Sequence, residues 1–168
     1  MRLPLTVRAV IFAVMAPGTV AVVIPFVILQ IERGTSMDVG ATRFAGLVLL
    51  AAGAVVAAWC FVDFIRAGRG TPAPWDAPTR LVTRGLYRYV RNPMYVSIVT
   101  TLVGESLLFR SAWLLAYAAG VWIVFHLMVR LYEEPTLERQ FGASYEAYRA
   151  EVPRWIPTPP GWRRWSAP

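Results

Sequence analysis

The sequence predicts an all-α integral membrane protein, a helical bundle with about four transmembrane helices in a single domain covering residues 1–168. Of these residues 57% are hydrophobic, and the mean hydropathy is +0.48. A soluble domain is about 45–50% apolar, so the excess needs lipid around it. The apolar residues form long runs, and the basic residues, 17 arginines and no lysine, lie mostly beside those runs. Both features are typical of helices that cross a bilayer.

The first two predicted spans are residues 7–31 and 42–65. Each is long enough to cross a hydrocarbon core of about 30 Å at roughly 1.5 Å per residue. Pro17 and Pro25 predict kinks in the first span, which membrane helices tolerate. We expect this span to be retained, because it is longer than a signal-peptide core and lacks a small-x-small cleavage site. Asp63 ends the second span, at the depth of the lipid head groups.

Two further apolar runs, residues 94–109 and 112–131, predict a C-terminal helical hairpin. Only Arg110 and Ser111 separate them, and so short a join favours antiparallel neighbours. The first of the two is short for a full crossing, so we expect it to be tilted or partly enclosed by protein. It contains Glu105, for which a structural hydrogen bond or exposure at the distal surface is favoured over catalysis.

The tail, residues 132–168, mixes charged and aromatic residues. It predicts short helices at about 135–141 and 144–151, followed by turns rich in proline and tryptophan. Tryptophan beside arginine is typical of anchors at a membrane interface. The residues of this type are Trp155, Trp162, Trp165, Arg154, Arg163 and Arg164.

The arginines also predict the orientation of the bundle. The connection from Arg66 to Arg91 holds six arginines and one aspartate, a net charge of +5, whereas the connection after the first span is neutral. Short basic connections stay in the cytoplasm. We therefore expect both termini, the 66–91 connection and the tail to lie on the cytoplasmic side. The protein itself is expected to be a multi-pass membrane protein, in the plasma membrane if it is bacterial.

Composition narrows the range of partners. The net charge of +7 is compatible with nucleic acid, but the arginines flank apolar runs instead of lining one polar face, which favours anionic membrane lipids. The single cysteine, Cys60, excludes an internal disulfide. The single histidine, His126, lies in an apolar run, so we expect a packing role and no metal site.

One short segment, "YRYVRNPMY" at residues 87–95, concentrates arginine and tyrosine at the start of an apolar run. Proline is favoured at the first position of a helix and asparagine just before it, so we expect a helix beginning at Pro93 with Asn92 as its cap. The positive end of that helix attracts anionic groups, with Arg91 directly beside it. Three tyrosines, Tyr87, Tyr89 and Tyr95, add flat faces and hydroxyls.

An acidic pair, Glu133 and Glu134, follows the fourth run. Because the hairpin returns the chain to its starting side, we expect the pair to lie near Arg91. Such a site suits a zwitterionic ligand with an amino acid-like tail. The same residues also fit a simpler interpretation, in which arginine and tyrosine anchor the interface and Arg91 pairs with one of the glutamates. From the pattern alone, the simpler interpretation is favoured.

Two separated blocks, "LVTRGLYRYVRNPMYV" and "EEPTLERQFGASYEAYRAEVPRWIP", resemble the superfamily of isoprenylcysteine carboxyl methyltransferases and phospholipid methyltransferases. The pattern of that superfamily is G-x-Y-x-x-x-R-H-P-x-Y, an apolar hairpin, and then E-E-x-x-L-x-x-x-F-G-x-x-Y-x-x-Y with a V-P step. The resemblance covers about residues 81–157, and it implies an integral membrane enzyme that uses S-adenosylmethionine.

The resemblance also implies which residues hold the cofactor. The residues expected to line its pocket are Gly85, Leu86, Tyr89, Val90, Arg91, Asn92, Pro93 and Tyr95. Glu133 and Glu134 are expected to hold its amino group or ribose hydroxyls, while Tyr145, Tyr148 and the Val152–Pro153 step close the pocket. A lipid or lipidated acceptor is expected to enter between the helices.

The chemistry of the acceptor predicts catalytic roles for a few charged residues. A carboxylate acceptor needs an arginine to hold it, for which Arg91 and Arg149 are the candidates. An amine acceptor needs a carboxylate to take its proton, for which Glu133 and Glu134 are the candidates. A prenylated carboxylate, a phospholipid amine and a hydrophobic thiol all stay open, as does the oligomeric state.

The superfamily has histidine where this chain has Asn92. Asparagine keeps the hydrogen-bonding capacity but does not titrate near neutral pH. Two alternatives therefore stay open beside methyl transfer. One is an NADPH-dependent enzyme similar to sterol reductases, and the other is a non-catalytic membrane protein that retains the fold.

Overall fold

A computed structural model of the protein describes residue 7 and residues 14–32, 37–68 and 81–157. Within these ranges the regular structure is helical, which confirms the all-α prediction. The first helix, α1, starts as a wide π-type helix at Val14–Val23 and continues as an α-helix at Ile24–Ile31. The others are α2 (Arg43–Gly68), α3 (Pro93–Phe109), α4 (Ala112–Met128), α5 (Glu134–Phe141) and α6 (Ala143–Glu151).

Each π-type segment ends two residues before a proline, Pro25 or Pro135. The ring of a proline collides with the carbonyl of the residue four positions earlier and leaves that carbonyl without its helical donor. The fourth residue before Pro25 is Ala21, inside the first π segment, and the fourth before Pro135 is Leu131, inside the second segment, Val129–Glu133. A wider turn relieves the collision. The second segment connects α4 to α5 and carries Glu133 at its end.

Small residues bring α2 and α3 into close antiparallel contact. A Cβ atom added at Gly46 would lie 2.5 Å from the Gly104 carbonyl oxygen, and one added at Gly53 would lie 2.8 Å from the Ser97 carbonyl oxygen. Glycine in membrane-type helices permits this approach, so the contact rests on backbone packing. The pairing holds the end of α2 near the loop that precedes α3.

Two residues join α3 to α4, and each has a specific task. Arg110 adopts the left-handed conformation, with φ 58°, which ends α3. Ser111 caps α4, since its hydroxyl accepts a hydrogen bond of 3.0 Å from the Leu114 amide. The Nε atom of Arg110 also donates to the Met37 carbonyl at 2.9 Å, which ties the chain before α2 to this turn.

Two helical stretches are long and apolar enough to cross a membrane: Gly40–Asp63 and Ala112–Phe141. The first stretch contains the predicted span 42–65 except for its last two residues, and the second contains the predicted span 112–131. The other two apolar helices, Met15–Ile31 and Pro93–Phe109, are shorter. The number of crossings therefore stays a prediction, as do the topology and the hairpin within the membrane. Residues 8–13 of the first predicted span and residues 69–80 of the 66–91 connection lie outside the described residues.

Gly104→Ala tests the close packing of α2 on α3. The new methyl group would lie 2.6 Å from the Leu50 amide nitrogen, so the helices must separate. We expect the free energy of unfolding to fall by about 1–3 kcal/mol, the usual effect of overpacking. The measurement is thermal unfolding in detergent, followed by circular dichroism.

Gly120→Ala is the matched control, because nothing lies within 4 Å of a Cβ atom at that position in α4. Alanine has the higher helix propensity, so the control is expected to match or exceed the parent in stability. Equal effects of the two substitutions would contradict the close contact.

Candidate functional site

The loop before α3 is folded against the C-terminal helices. Gly85 has φ +56° and begins a 3₁₀ turn, Gly85–Arg88. Tyr87 and Val90 follow and are buried. The Tyr87 carbonyl accepts a hydrogen bond of 2.6 Å from the Tyr148 hydroxyl, which fixes the loop to α6.

Helix α6 and the chain after it form the other side of the site. Tyr145, Tyr148 and Val152 are all at most 3% exposed and pack together, with Leu81, Leu137 and Phe141 around them. Burial raises the pKa of Tyr145 and of Tyr148, so both keep their hydroxyl protons at neutral pH.

Main-chain contacts join the two sides directly. The Arg91 amide donates to the Pro153 carbonyl at 2.9 Å, and the Asn92 side-chain amide donates to the Arg154 carbonyl at 3.1 Å. Helix α3 does begin at Pro93, as the sequence predicts. The predicted capping role of the Asn92 side chain is wrong, because that side chain makes no cap hydrogen bond and instead holds the C-terminal segment.

Glu134 lies at the centre of the site, where its carboxylate binds two arginines. The Arg91 guanidinium is 3.0 Å from Glu134 Oε1, and both side chains are only 9% exposed. Arg154 binds in a bidentate manner, with Nε 2.7 Å from Oε1 and Nη2 2.8 Å from Oε2. These hydrogen bonds raise the pKa of Arg154. The acidic residue thus links the loop, the start of α5 and the C-terminal segment.

Glu133 points to a different partner. Its carboxylate accepts a hydrogen bond from the Tyr95 hydroxyl, one turn into α3. The Tyr95 ring packs against Phe125 of α4, with ring centroids 4.5 Å apart. No basic side chain among the described residues forms an ion pair with Glu133, so its negative charge is not neutralised within the described protein.

Three buried polar atoms have no hydrogen-bond partner in the described part of the chain: Arg91 Nε, Asp63 Oδ2 and Glu105 Oε2. Native proteins rarely leave such atoms unsatisfied. Arg91 Nε belongs to the site, and Asp63 Oδ2 lies against Gly85 in the loop. Glu105 lies towards the other end of α3. Its buried Oε2 atom does not form the structural hydrogen bond that the sequence predicts for this residue.

The structure brings together most of the residues that the sequence indicates, with one exception. The loop from Gly85 to Tyr95, the two glutamates, Tyr145, Tyr148 and the Val152–Pro153 step all lie around the contacts described above. Arg149 is instead half-exposed on α6, with Nη1 3.4 Å from Glu138 Oε2. This placement gives no support to a role for Arg149 in holding an acceptor.

Sequence reasoning treated Arg154 and Trp155 only as interfacial anchors. Arg154 instead forms the bidentate ion pair with Glu134. Trp155 packs on Trp122, with ring centroids 4.5 Å apart, and its Nε1 donates to His126 Nδ1 at 3.2 Å. Both contacts join residues at least 20 positions apart, so no local sequence pattern could reveal them.

Comparison with known proteins identifies the family of the chain. The family model for phospholipid methyltransferases matches residues 41–144, which is more than half of the chain. The protein therefore belongs to the phospholipid methyltransferase family. The matched region runs from the start of α2 to the start of α6, and it includes both the basic loop and the acidic pair.

Two curated relatives are similar over about half of the chain. A stretch of 81 residues is 38% identical to the Protein-S-isoprenylcysteine O-methyltransferase of Schizosaccharomyces pombe, covering 48% of this chain and 34% of that protein. A stretch of 79 residues is 34% identical to Protein-S-isoprenylcysteine O-methyltransferase B of Arabidopsis thaliana, covering 46% and 40%. This region of similarity thus spans two fifths or less of the length of these relatives.

Glu134→Gln tests the central ion pairs. The substitution leaves the buried Arg91 guanidinium without a counter-charge, and breaking such a pair typically destabilises by about 3–5 kcal/mol. We expect a lower unfolding temperature in detergent, together with faster proteolysis after residue 150 as the C-terminal segment separates from the loop.

Glu138→Gln provides the comparison, because it breaks the exposed pair with Arg149, and such pairs contribute about 0–1 kcal/mol. A Glu134→Gln variant as stable as Glu138→Gln would show that the central pairs do not hold the site together.

Proposed function

We propose that the protein transfers a methyl group from S-adenosylmethionine to a lipophilic acceptor. The observation that carries the proposal is the pair of unmatched groups beside the Glu134 cluster. Among the described residues, Arg91 Nε is a buried donor without an acceptor, and Glu133 is a carboxylate without a cation. An amino acid tail has the opposite arrangement, with a carboxylate to accept and an ammonium group to donate.

The chemistry of the remaining donors fits the cofactor as well. The Arg91 Nε–H would bind the carboxylate of the methionine portion, and Glu133 would bind its ammonium group. S-adenosylmethionine supplies a methyl group on a positively charged sulfur, which makes the methyl carbon electrophilic. Glu134 and Glu133 together balance the charges of Arg91 and Arg154, so the site has no excess positive charge that would repel the sulfonium.

The residues of the chain mainly orient and enclose the reactants. Methyl transfer is an in-line displacement, so its rate depends on alignment and on the exclusion of water. The C-terminal segment supports both, since Tyr145, Tyr148 and Val152 are buried and the main chain at Pro153 and Arg154 is bonded to the loop. Tyr95 fixes the position of the Glu133 carboxylate.

Asn92 supports an active protein in spite of its departure from the superfamily pattern. Its side-chain amide supplies the N–H that holds the Arg154 carbonyl. A histidine ring also carries an N–H donor, so asparagine preserves this contact although it does not titrate. We assign Asn92 a positioning role and no proton transfer.

The same proposal covers the acceptor, the membrane topology and the side of the membrane on which the site lies. The curated relatives are named for isoprenylcysteine and the family for phospholipids, so both a prenylated carboxylate and a lipid amine are in range. The apolar helices would admit either one from the bilayer. The positive-inside rule favours a cytoplasmic site, and we retain four spans as the working topology.

Titration with S-adenosylhomocysteine, followed by calorimetry, tests the cofactor. Arg91→Lys keeps the positive charge near Glu134 but removes Nε, and Glu133→Gln removes the carboxylate while keeping an oxygen for Tyr95. We expect micromolar binding to the parent and at least about tenfold weaker binding to each variant, a loss of about 1.4 kcal/mol.

Glu146→Gln serves as the control, since Glu146 is exposed on α6, and it is expected to bind like the parent. A folded parent that binds no S-adenosylhomocysteine would refute the proposal, and NADPH would then be the ligand to test.

A further inference from the structure

The chain that follows α6 forms a strap, residues 152–156, which runs from α6 past the loop before α3 to α4. It has no regular secondary structure. Its first residue, Val152, is buried in the tyrosine cluster. The carbonyls of Pro153 and Arg154 then accept hydrogen bonds from the loop. The strap is therefore held at a few separate points and not by continuous packing.

The far end of the strap is held by α4. Trp122 and His126 are four positions apart, so they lie on one face of that helix. The Trp155 ring packs on Trp122, with centroids 4.5 Å apart, and its Nε1 donates to His126 Nδ1 at 3.2 Å. The next residue, Ile156, is 80% exposed, so the docking ends at Trp155.

The hydrogen bond between Trp155 and His126 has only one possible direction. An indole N–H is a donor and never an acceptor, so His126 Nδ1 must accept and the ring proton lies on Nε2. A phenylalanine at either position keeps an aromatic ring but removes this bond.

The same stretch of α4 also supports the other half of the site. Phe125, beside His126 in the chain, packs on Tyr95, whose hydroxyl donates to Glu133. These contacts do not involve the strap. Undocking of Trp155 therefore releases one side of the site and leaves the Tyr95–Glu133 pair in place.

Part of the site has to move before a ligand can reach its buried donor. Arg91 Nε is buried, although the proposed function uses it to bind the cofactor carboxylate. The loop before α3 is fixed to α6 through the buried Tyr148 hydroxyl. In the strap, every side chain after Val152 is at least partly exposed. Segments with few buried contacts open at the lowest free energy, which makes the strap the part that moves.

We propose that Trp155 and His126 are positioning residues whose hydrogen bond latches the strap over the bound cofactor, and that release of this latch admits and releases the cofactor. The inference rests on the proposed methyl transfer. The other contacts of the strap, above all the Arg154 pair with Glu134, open together with the latch. Loss of the latch therefore raises the fraction of open protein, in the empty site and in the loaded site alike.

The rates of S-adenosylhomocysteine exchange, measured by surface plasmon resonance on protein in detergent, test the latch. We expect His126→Phe and Trp155→Phe each to raise both the association and the dissociation rate constants by about threefold to tenfold, the effect of one ordinary hydrogen bond. The affinity is expected to change by less than about twofold, because both rates rise together. The double variant is expected to match either single variant, since both remove the same bond.

Two further variants are the controls. His126→Gln keeps a side-chain acceptor for the indole N–H and is expected to exchange the ligand nearly as slowly as the parent. Trp113→Phe changes a tryptophan that is 59% exposed at the other end of α4, and it is expected to match the parent. Unchanged rates in His126→Phe, additive effects in the double variant, or a faster dissociation with no change in association would overturn the latch.

Hydrogen–deuterium exchange in peptides covering the strap separates this inference from the proposed function, because it needs no cofactor. We expect faster exchange there in His126→Phe than in the parent, at an equal unfolding temperature. A parent that binds no S-adenosylhomocysteine refutes the proposed function, and faster strap exchange in His126→Phe would then still support the latch. Equal strap exchange in the two proteins overturns it.

Discussion

The site depends on one carboxylate that holds two arginines from different parts of the chain. Glu134 binds Arg91 at 3.0 Å and binds Arg154 through both of its carboxylate oxygens. Without this link, the described hydrogen bonds between the loop before α3 and the segment after α6 would be those from the Arg91 main-chain amide and the Asn92 side chain. The π-type turn before Pro135 aims Glu134 into the cluster and Glu133 towards Tyr95. A local distortion that proline imposes on the helix thus decides where both acidic side chains point.

The balance of charges around the two arginines also decides what the site can bind. The sequence predicts Arg91 at the start of a helix facing two glutamates, a set of charges that suits a zwitterionic ligand. The structure adds Arg154 to this set, and Glu134 pairs with both arginines. Glu133 and Asp63 have no basic partner among the described residues, while one donor, Arg91 Nε, remains free. Such a balance favours ligands with a net positive charge and a single carboxylate.

Much of the fold and of the site was readable from the sequence, for clear physical reasons. Apolar runs fix the helices, and proline after asparagine fixes the start of α3 at Pro93. The two-residue join returns the chain and brings Glu134 to Arg91. The simpler interpretation of the pattern includes a pair between Arg91 and one of the glutamates, and the structure contains that pair. Other features depend on how the tail folds back, which no local periodicity encodes. These features are the role of Arg154, the partner of the Asn92 side chain and the exposed position of Arg149.

The central claim, that a methyl donor lies between the basic loop and the C-terminal segment, is tested most directly by photochemical crosslinking. Purified protein in detergent would be irradiated with methyl-labelled S-adenosylmethionine, and the labelled peptides would be mapped by mass spectrometry. The account predicts label in peptides from residues 81–96 and 132–157, lost when excess S-adenosylhomocysteine competes. Label confined to α1 or to the first half of α2, or label that resists competition, would contradict it.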